Sequence, residues 1–344
     1  MSDRAFIEAH GPSHVMDPRL AALLVCPRDR SALDWKPGSL SCAKGHRYSV
    51  VEGIPILLVA EAEQTHIEGT RSLAVAEAGE SANLRQFNVG PEEIDPFVKN
   101  VIAATNGGLY QHLVGNLSEY PIPSLRLPKA NGELFLEIGS NWGRWCIAAA
   151  RSGFRPVGID PSLKSIRAAR RVAQQLGIDA LYLVGDARHL PFPDQLFDQV
   201  FSYSVLQHLS RENVRKTLEE VARVLRPAGN CQVQMPNKFG VRCLYHQARR
   251  GFREGTDFDV RYWGPRELIS TFSNALGQAR LSVDGFFSLN AQISDIRFLP
   301  WKYRTLVRIS ERLRRLSEHF SSFTYFADSL YVTASAKVRR DPLP

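Results

Sequence analysis

The chain has 344 residues, 44% of them hydrophobic, enough to bury one large core and a small module beside it. No apolar stretch approaches the ~20 residues needed to cross a bilayer, and five cysteines are too few for a disulfide framework, which leaves reduced thiols or a metal site. The net charge of +8 is concentrated after Asn237, where 18 Lys and Arg face 10 Asp and Glu; such an excess suits an anionic partner or simply a solvated face.

In chain order, the opening "MSDRAFIEAHGPSHVMD" has charges and proline where a signal peptide needs an apolar block. Residues 1–17 therefore read as a flexible tail, and a cytoplasmic location is expected. Residues 18–60 form a compact unit of short strand-like runs between turn residues. It contains Cys26-x-x-Asp29 and Cys42-x-x-x-His46, two pairs at spacings suited to a structural metal, although zinc more often takes only Cys and His. Residues 61–130 read as a helical connector and cofactor lid, closing on the proline-rich "YPIPSLRLPKANG", which no regular element accommodates.

Residues 131–344 alternate apolar runs with helical patterns, the mark of a parallel sheet covered on both faces. "ELFLEI" predicts a first strand and "GRWCIAAARSG" a helix; "PVGID" and "ALYLVGD" predict strands two and three around the helix "SLKSIRAARRVAQQLG". "FDQVFSYS" is the fourth strand. "RENVRKTLEEVARVLRPAG" is a helix with Val214, Leu218, Val221 and Leu225 on one face, stopped by Pro-Ala-Gly, and "NCQVQM" is the fifth strand. "LSVDGFFSL" and "SLYVTASAK" supply two further strands. Insertions are expected at 237–265 and 295–322. The first interleaves Arg249, Arg250, Arg253 and Arg261 with Tyr245, Phe252, Tyr262 and Trp263, side chains fit for an anionic or ring-bearing substrate or for a solvated loop. The second carries a stripe of Leu306, Ile309, Leu313 and Leu316, which either packs on the protein or makes a peripheral membrane contact.

Ligands of open parallel sheets bind outside the carboxyl ends of the strands. Strand one leads through Glu137 into Gly139-Ser-Asn141-Trp-Gly143; strand two closes on Asp160, 21 residues after Gly139; strand three closes on Asp186. An acid after strand two is placed to accept both hydroxyls of a ribose, so a nucleoside is expected. A dinucleotide would require a third glycine, and Arg144-Trp145 follow Gly143 instead. S-Adenosylmethionine, which has no phosphate to cradle, fits this turn, and the residue after strand three can accept from its adenine amino group.

"LEIGSNWG", "GID", "GDARHLPF", "FDQVFSYSVLQHL" and "LRPAGNCQVQMPN" follow one another over residues 133–236. In that order the segment resembles the core of a class I S-adenosylmethionine-dependent methyltransferase. The resemblance implies an α/β fold, a Rossmann-like seven-stranded sheet with its last two strands as an antiparallel edge pair. It implies that Glu137, Gly139, Asn141 and Gly143 line the methionine end, that Asp160 binds the ribose, that Asp186 and the Ala187 amide bind adenine, and that Tyr203 belongs to the cofactor site. Asn141 stands where the family usually has a second glycine; Asn enters left-handed geometry more readily than most residues, so the turn is expected to survive.

A sulfonium methyl needs an aligned acceptor and at most one base. Gln207 and His208 follow strand four on the cofactor rim, so His208 is either the general base or a cap of the next helix. Tyr110, His112 and His246 are weaker candidates. The unit at 18–60, through "CPRD", "CAKGH" and "GIPILL", resembles the zinc-ribbon modules of tRNA-methyltransferase activator proteins. That resemblance implies Cys26, Asp29, Cys42 and His46 as zinc ligands, with Asp29 the departure, since a Cys-to-Asp change is also how such a site decays. Cys146, Cys231 and Cys243 read as packing. The expected function is methyl transfer, as O-methylation, to a small-molecule, glycan or lipid-linked acceptor in a biosynthetic step. An RNA methyltransferase or a non-catalytic cofactor-binding scaffold are the alternatives, nucleic acid being disfavoured because no Asn/Asp-Pro-Pro-Tyr/Phe motif follows strand four.

Overall fold

A computed structural model describes residues 15–79, 93–103, 117–287 and 291–337. The expected tail therefore lies almost wholly outside the described residues, as do Tyr110 and His112. The N-terminal unit opens with a turn of helix at Pro18–Ala21 and folds into β1 (Leu33–Lys36), β2 (Ser39–Cys42), β3 (Arg47–Val51) and β4 (Ile54–Leu57). The following seven strands are β5 (Leu134–Ile138), β6 (Arg155–Asp160), β7 (Leu181–Gly185), β8 (Phe197–Ser202), β9 (Leu225–Pro236), β10 (Ala279–Gly285) and β11 (Ser329–Ser335). All eleven belong to one sheet in the order β1-β2-β3-β4-β7-β6-β5-β8-β9-β11-β10.

The expected α/β sheet is present in β5 to β11. Strands β7, β6, β5, β8 and β9 run parallel, and β11 enters antiparallel between β9 and β10. Continuous apolar runs mark strands covered on both faces, and every residue of β5 is buried, Glu137 included. The first four strands are not a separate sheet. β4 pairs in parallel with β7, Ile56 against Val184 and Leu57 against Gly185. Its four residues are all buried, because the strand lies inside the sheet.

The helices are α1 (Ile67–Ala78) and α2 (Pro96–Ala103) in the connector, α3 (Arg144–Arg151), α4 (Leu163–Gln175) and α5 (Arg211–Val224) beside the parallel strands, α6 (Val241–Arg249), α7 (Pro265–Ala275) and α8 (Trp301–Ser317). Ser162 caps α4 and Ser210 caps α5, each accepting from a backbone N–H three residues on. α5 stops at Val224, earlier than Pro-Ala-Gly alone suggests. Leu225 already pairs with Phe197, and 226–229 bulge out of the β8–β9 ladder before Asn230 meets Gln199. In α8, Leu306 and Leu313 are half-buried while Ile309 and Leu316 are exposed; Val307 is its one buried side chain. Among the described residues no helix is long and apolar enough to cross a membrane.

Candidate cofactor and acceptor site

Strand order reverses at β5, with β6 on one side and β8 on the other, so a crevice opens outside their carboxyl ends. There the chain turns through Gly139 (φ 76°), Asn141 (φ 47°) and Gly143 (φ 80°), all left-handed. Asn141 accepts that geometry as expected, and its side-chain oxygen accepts from the Trp142 N–H at 2.7 Å. A Cβ on Gly139 would lie 2.2 Å from Cγ2 of Val205, and one on Gly143 2.5 Å from the Tyr182 hydroxyl. The two glycines are thus required by the protein's own packing before any ligand is considered. Behind the turn, Glu137 accepts from the backbone N–H of Cys146 at 2.8 Å in the first turn of α3, and burial pushes its carboxyl up to about 8.

Asp160 spans the base of the turn. One carboxylate oxygen accepts from the Asn141 N–H and the other from the Ser162 N–H, both at 2.9 Å. Burial pushes this carboxyl up to about 6, with the two backbone donors opposing the shift. Each oxygen retains a lone pair for a further donor. Asp186 is held by Arg188, whose guanidinium approaches to 2.6 Å and whose backbone N–H lies 2.8 Å from the other oxygen. The Tyr203 hydroxyl donates to Asp284 at 2.8 Å, and its ring lies 4.8 Å from that of Trp145.

Glu137, Gly139, Asn141, Asp160, Asp186, Ala187, Tyr203 and His208 all line one cavity of about 920 Å³; Gly143 shapes the turn without lining it. His208 packs flat on Phe258, ring centroids 3.9 Å apart. Its Nδ1 lies 2.7 Å from the Phe258 carbonyl, which can only accept, so Nδ1 carries the proton and Nε2 is the basic atom, 3.1 Å from the Gln207 amide. Burial lowers the His208 pKa below its ordinary 6.5. Arg261 donates to the His208 carbonyl at 2.6 Å, and Arg250 to that of Val260 at 3.0 Å. Arg261 therefore fastens the insertion to the rim, while Arg250 braces the insertion internally. Trp263 is fully buried under the Arg211 guanidinium.

The four metal candidates converge at the other end of the sheet. Their ligand atoms all lie within 4.8 Å of one another. His46 Nδ1 is 3.4 Å from Cys26 Sγ, 3.3 Å from Cys42 Sγ and 3.3 Å from an Asp29 oxygen, with Cys42 Sγ 3.7 Å from the same oxygen. Bonds of about 2.0 to 2.3 Å around a tetrahedral zinc put ligand atoms roughly 3.3 to 3.8 Å apart, so the residues fit that ion. Asp29 is the fourth member of that cluster.

The family model described as a methyltransferase domain matches residues 135–229. This segment is a class I methyltransferase domain. Over 95 residues the chain is 34% identical to an uncharacterized methyltransferase, YcgJ, of Bacillus subtilis, covering 27% of this chain and 37% of that one. It is 39% identical over 101 residues to a fatty-acid O-methyltransferase of Mycolicibacterium smegmatis (28% and 35%), and 28% identical over 149 residues to a ubiquinone biosynthesis O-methyltransferase of Brucella ovis (42% and 59%). The chain thus spans between about a third and three fifths of the length of these relatives.

Around the methyltransferase domain, the structure adds residues that the motifs did not name. Glu68 of α1 accepts from the Ser162 hydroxyl at 3.1 Å, beside Asp160, and His66 approaches Phe258 edge-on at 4.4 Å between ring centroids. The connector and the first insertion therefore meet over the methyltransferase crevice. Asp328 and Ser329, at the start of β11, line its far wall together with His246 and Tyr262. α1 falls within the stretch read as a helical connector, and His66 caps it, its ring accepting from the Glu68 N–H. Nothing local in the sequence pointed to Asp328.

Proposed function

We propose that the chain transfers a methyl group from S-adenosylmethionine to a small acceptor with an apolar body, on oxygen. The observation that carries this reading is the single cavity joining the glycine turn, Asp160 and Asp186 on one side to His208, His246 and Tyr262 on the other. Its volume lies at the upper end of the range for small-molecule sites, which suits a cofactor and an acceptor side by side. The cofactor supplies an activated methyl on a sulfonium. Asp160 would accept from the ribose hydroxyls, Glu137 would face the methionine end, and Asp186 with the Ala187 amide would hold adenine. His208 is proposed as the base: its Nδ1 proton is fixed on the Phe258 carbonyl, and an acceptor hydroxyl would replace the Gln207 amide at Nε2. We further infer that Cys26, Asp29, Cys42 and His46 hold a structural zinc that fixes the start of the sheet extension.

The test is incubation with methyl-labelled cofactor and a panel of hydroxylated quinone precursors, fatty acids and transcribed RNA. Label appearing in the organic extract at a rate little changed by salt supports the reading. Label appearing only in RNA, with steep salt dependence, or absence of cofactor binding by calorimetry, would overturn it.

A further inference from the structure

Helix α6 presents two different faces. Arg242, Cys243 and His246 line the cavity, whereas Val241, Leu244 and Tyr245 stand in solvent with exposures of 62%, 41% and 56%. Phe239, just before the helix, and Phe252, just after it, are exposed as well. Asn237 ties the turn bearing exposed Phe326 to this end of the helix: its amide donates to the carbonyls of Tyr325 at 3.0 Å and Ala327 at 2.7 Å. Exposed apolar groups gathered in this way, on the outer side of a cavity wall, mark an interaction surface.

The charge of the same stretch is one-sided. Residues 237–253 contain Lys238, Arg242, Arg249, Arg250 and Arg253 and no acidic side chain. Arg250 is tied to Val260 and Asp259. Lys238, Arg249 and Arg253 are exposed and form no ion pair among the described residues. A nucleic acid would use these cations and leave the leucine, valine and phenylalanines in water. An anionic bilayer uses both, since the cations meet headgroups while the apolar side chains enter the acyl boundary.

We propose that the outer face of α6, with Phe239, Phe252 and Phe326, docks on an anionic lipid surface and sets the acceptor end of the cavity against it. The docking surface stands on its own residues; only the use made of the cavity rests on the methyltransferase reading.

The whole chain is sedimented with vesicles of phosphatidylcholine alone and with about 30% phosphatidylglycerol. Binding at least tenfold tighter to the anionic vesicles is expected. Leu244→Asp with Phe252→Asp should weaken it about tenfold or more, and Arg249→Ala with Arg253→Ala should do likewise, roughly fivefold per cation. Calorimetry on the same samples should give unchanged S-adenosylmethionine affinity, which shows that the variants are folded. Equal binding to both vesicles, or apolar variants that sediment like the wild type, would overturn the proposal. So would an RNA oligonucleotide binding more tightly than the vesicles and insensitive to the apolar substitutions. Loss of cofactor binding by the wild type would instead sink the methyltransferase reading and leave the vesicle result standing.

Discussion

Replacing Asp160 by Asn isolates the charge at the base of the cofactor crevice. In the wild type each carboxylate oxygen already accepts a backbone N–H at 2.9 Å, from Asn141 and from Ser162. Two ribose hydroxyls would add charge-assisted hydrogen bonds of about 1.5–3 kcal/mol each. Holding the carboxylate ionised in this site has its own cost. The carboxyl is displaced from 3.8 to about 6 before any ligand arrives, so Asn relieves that cost in the stability of the free protein and not in cofactor affinity. It also turns one amide NH2 toward a backbone N–H, leaving a donor unsatisfied. The net expectation is a cofactor Kd weakened by roughly 10². The wild-type pH dependence follows from the same group. Ribose hydroxyls donate to the ionised form, so binding lowers a pKa that stands near 6 in the free protein. The Asp160 contribution is then full above that value and falls about tenfold per pH unit below it; the Asn variant lacks this step, while Glu137, pushed up to about 8, titrates separately above it. Isothermal calorimetry between pH 5 and 8, with thermal unfolding to confirm the fold, makes the measurement. A folded variant binding within threefold of the wild type, or a wild type whose affinity ignores pH, would refute the assignment of Asp160 to the ribose.

Gly139→Ala places a methyl 2.2 Å from Val205, so it should lower Tm and cofactor affinity together, and Val205→Ala should restore part of both; no recovery would mean that the left-handed backbone alone is responsible. His208→Ala should slow methyl transfer about 10²–10⁴-fold with cofactor affinity nearly intact. The wild-type acid limb, lying below pH 6.5 because burial lowers this histidine, should disappear in that variant; a variant that keeps its turnover and only melts earlier would make His208 an anchor for Phe258. Purified protein should carry about one equivalent of zinc, and chelation should expose residues 18–60 to protease. Metal analysis finding none, with those residues still resistant, would show that the cluster holds together without an ion.

The parallel sheet, the glycine turn and the acids at the ends of β6 and β7 were legible in the sequence because local rules govern them. A strand buried on both faces is apolar throughout, as Leu134, Phe135 and Leu136 are, and a left-handed turn needs Gly or Asn. The four candidate metal ligands were legible for the same reason, since each pair is fixed by one tight turn. What only the tertiary structure decided involves partners distant in the chain. "GIPILL" has the apolarity of a buried strand, but nothing local says that Ile56 pairs with Val184 and makes the N-terminal unit an extension of the sheet. The arginines of the first insertion have the composition of a substrate grip, yet Arg261 donates to the carbonyl of His208, 53 residues away, and braces the rim. Which nitrogen of His208 holds the proton depends on the Phe258 carbonyl, fifty residues away. Composition and period report what a residue can do locally, whereas a hydrogen bond between remote segments exists only once the chain has closed on itself.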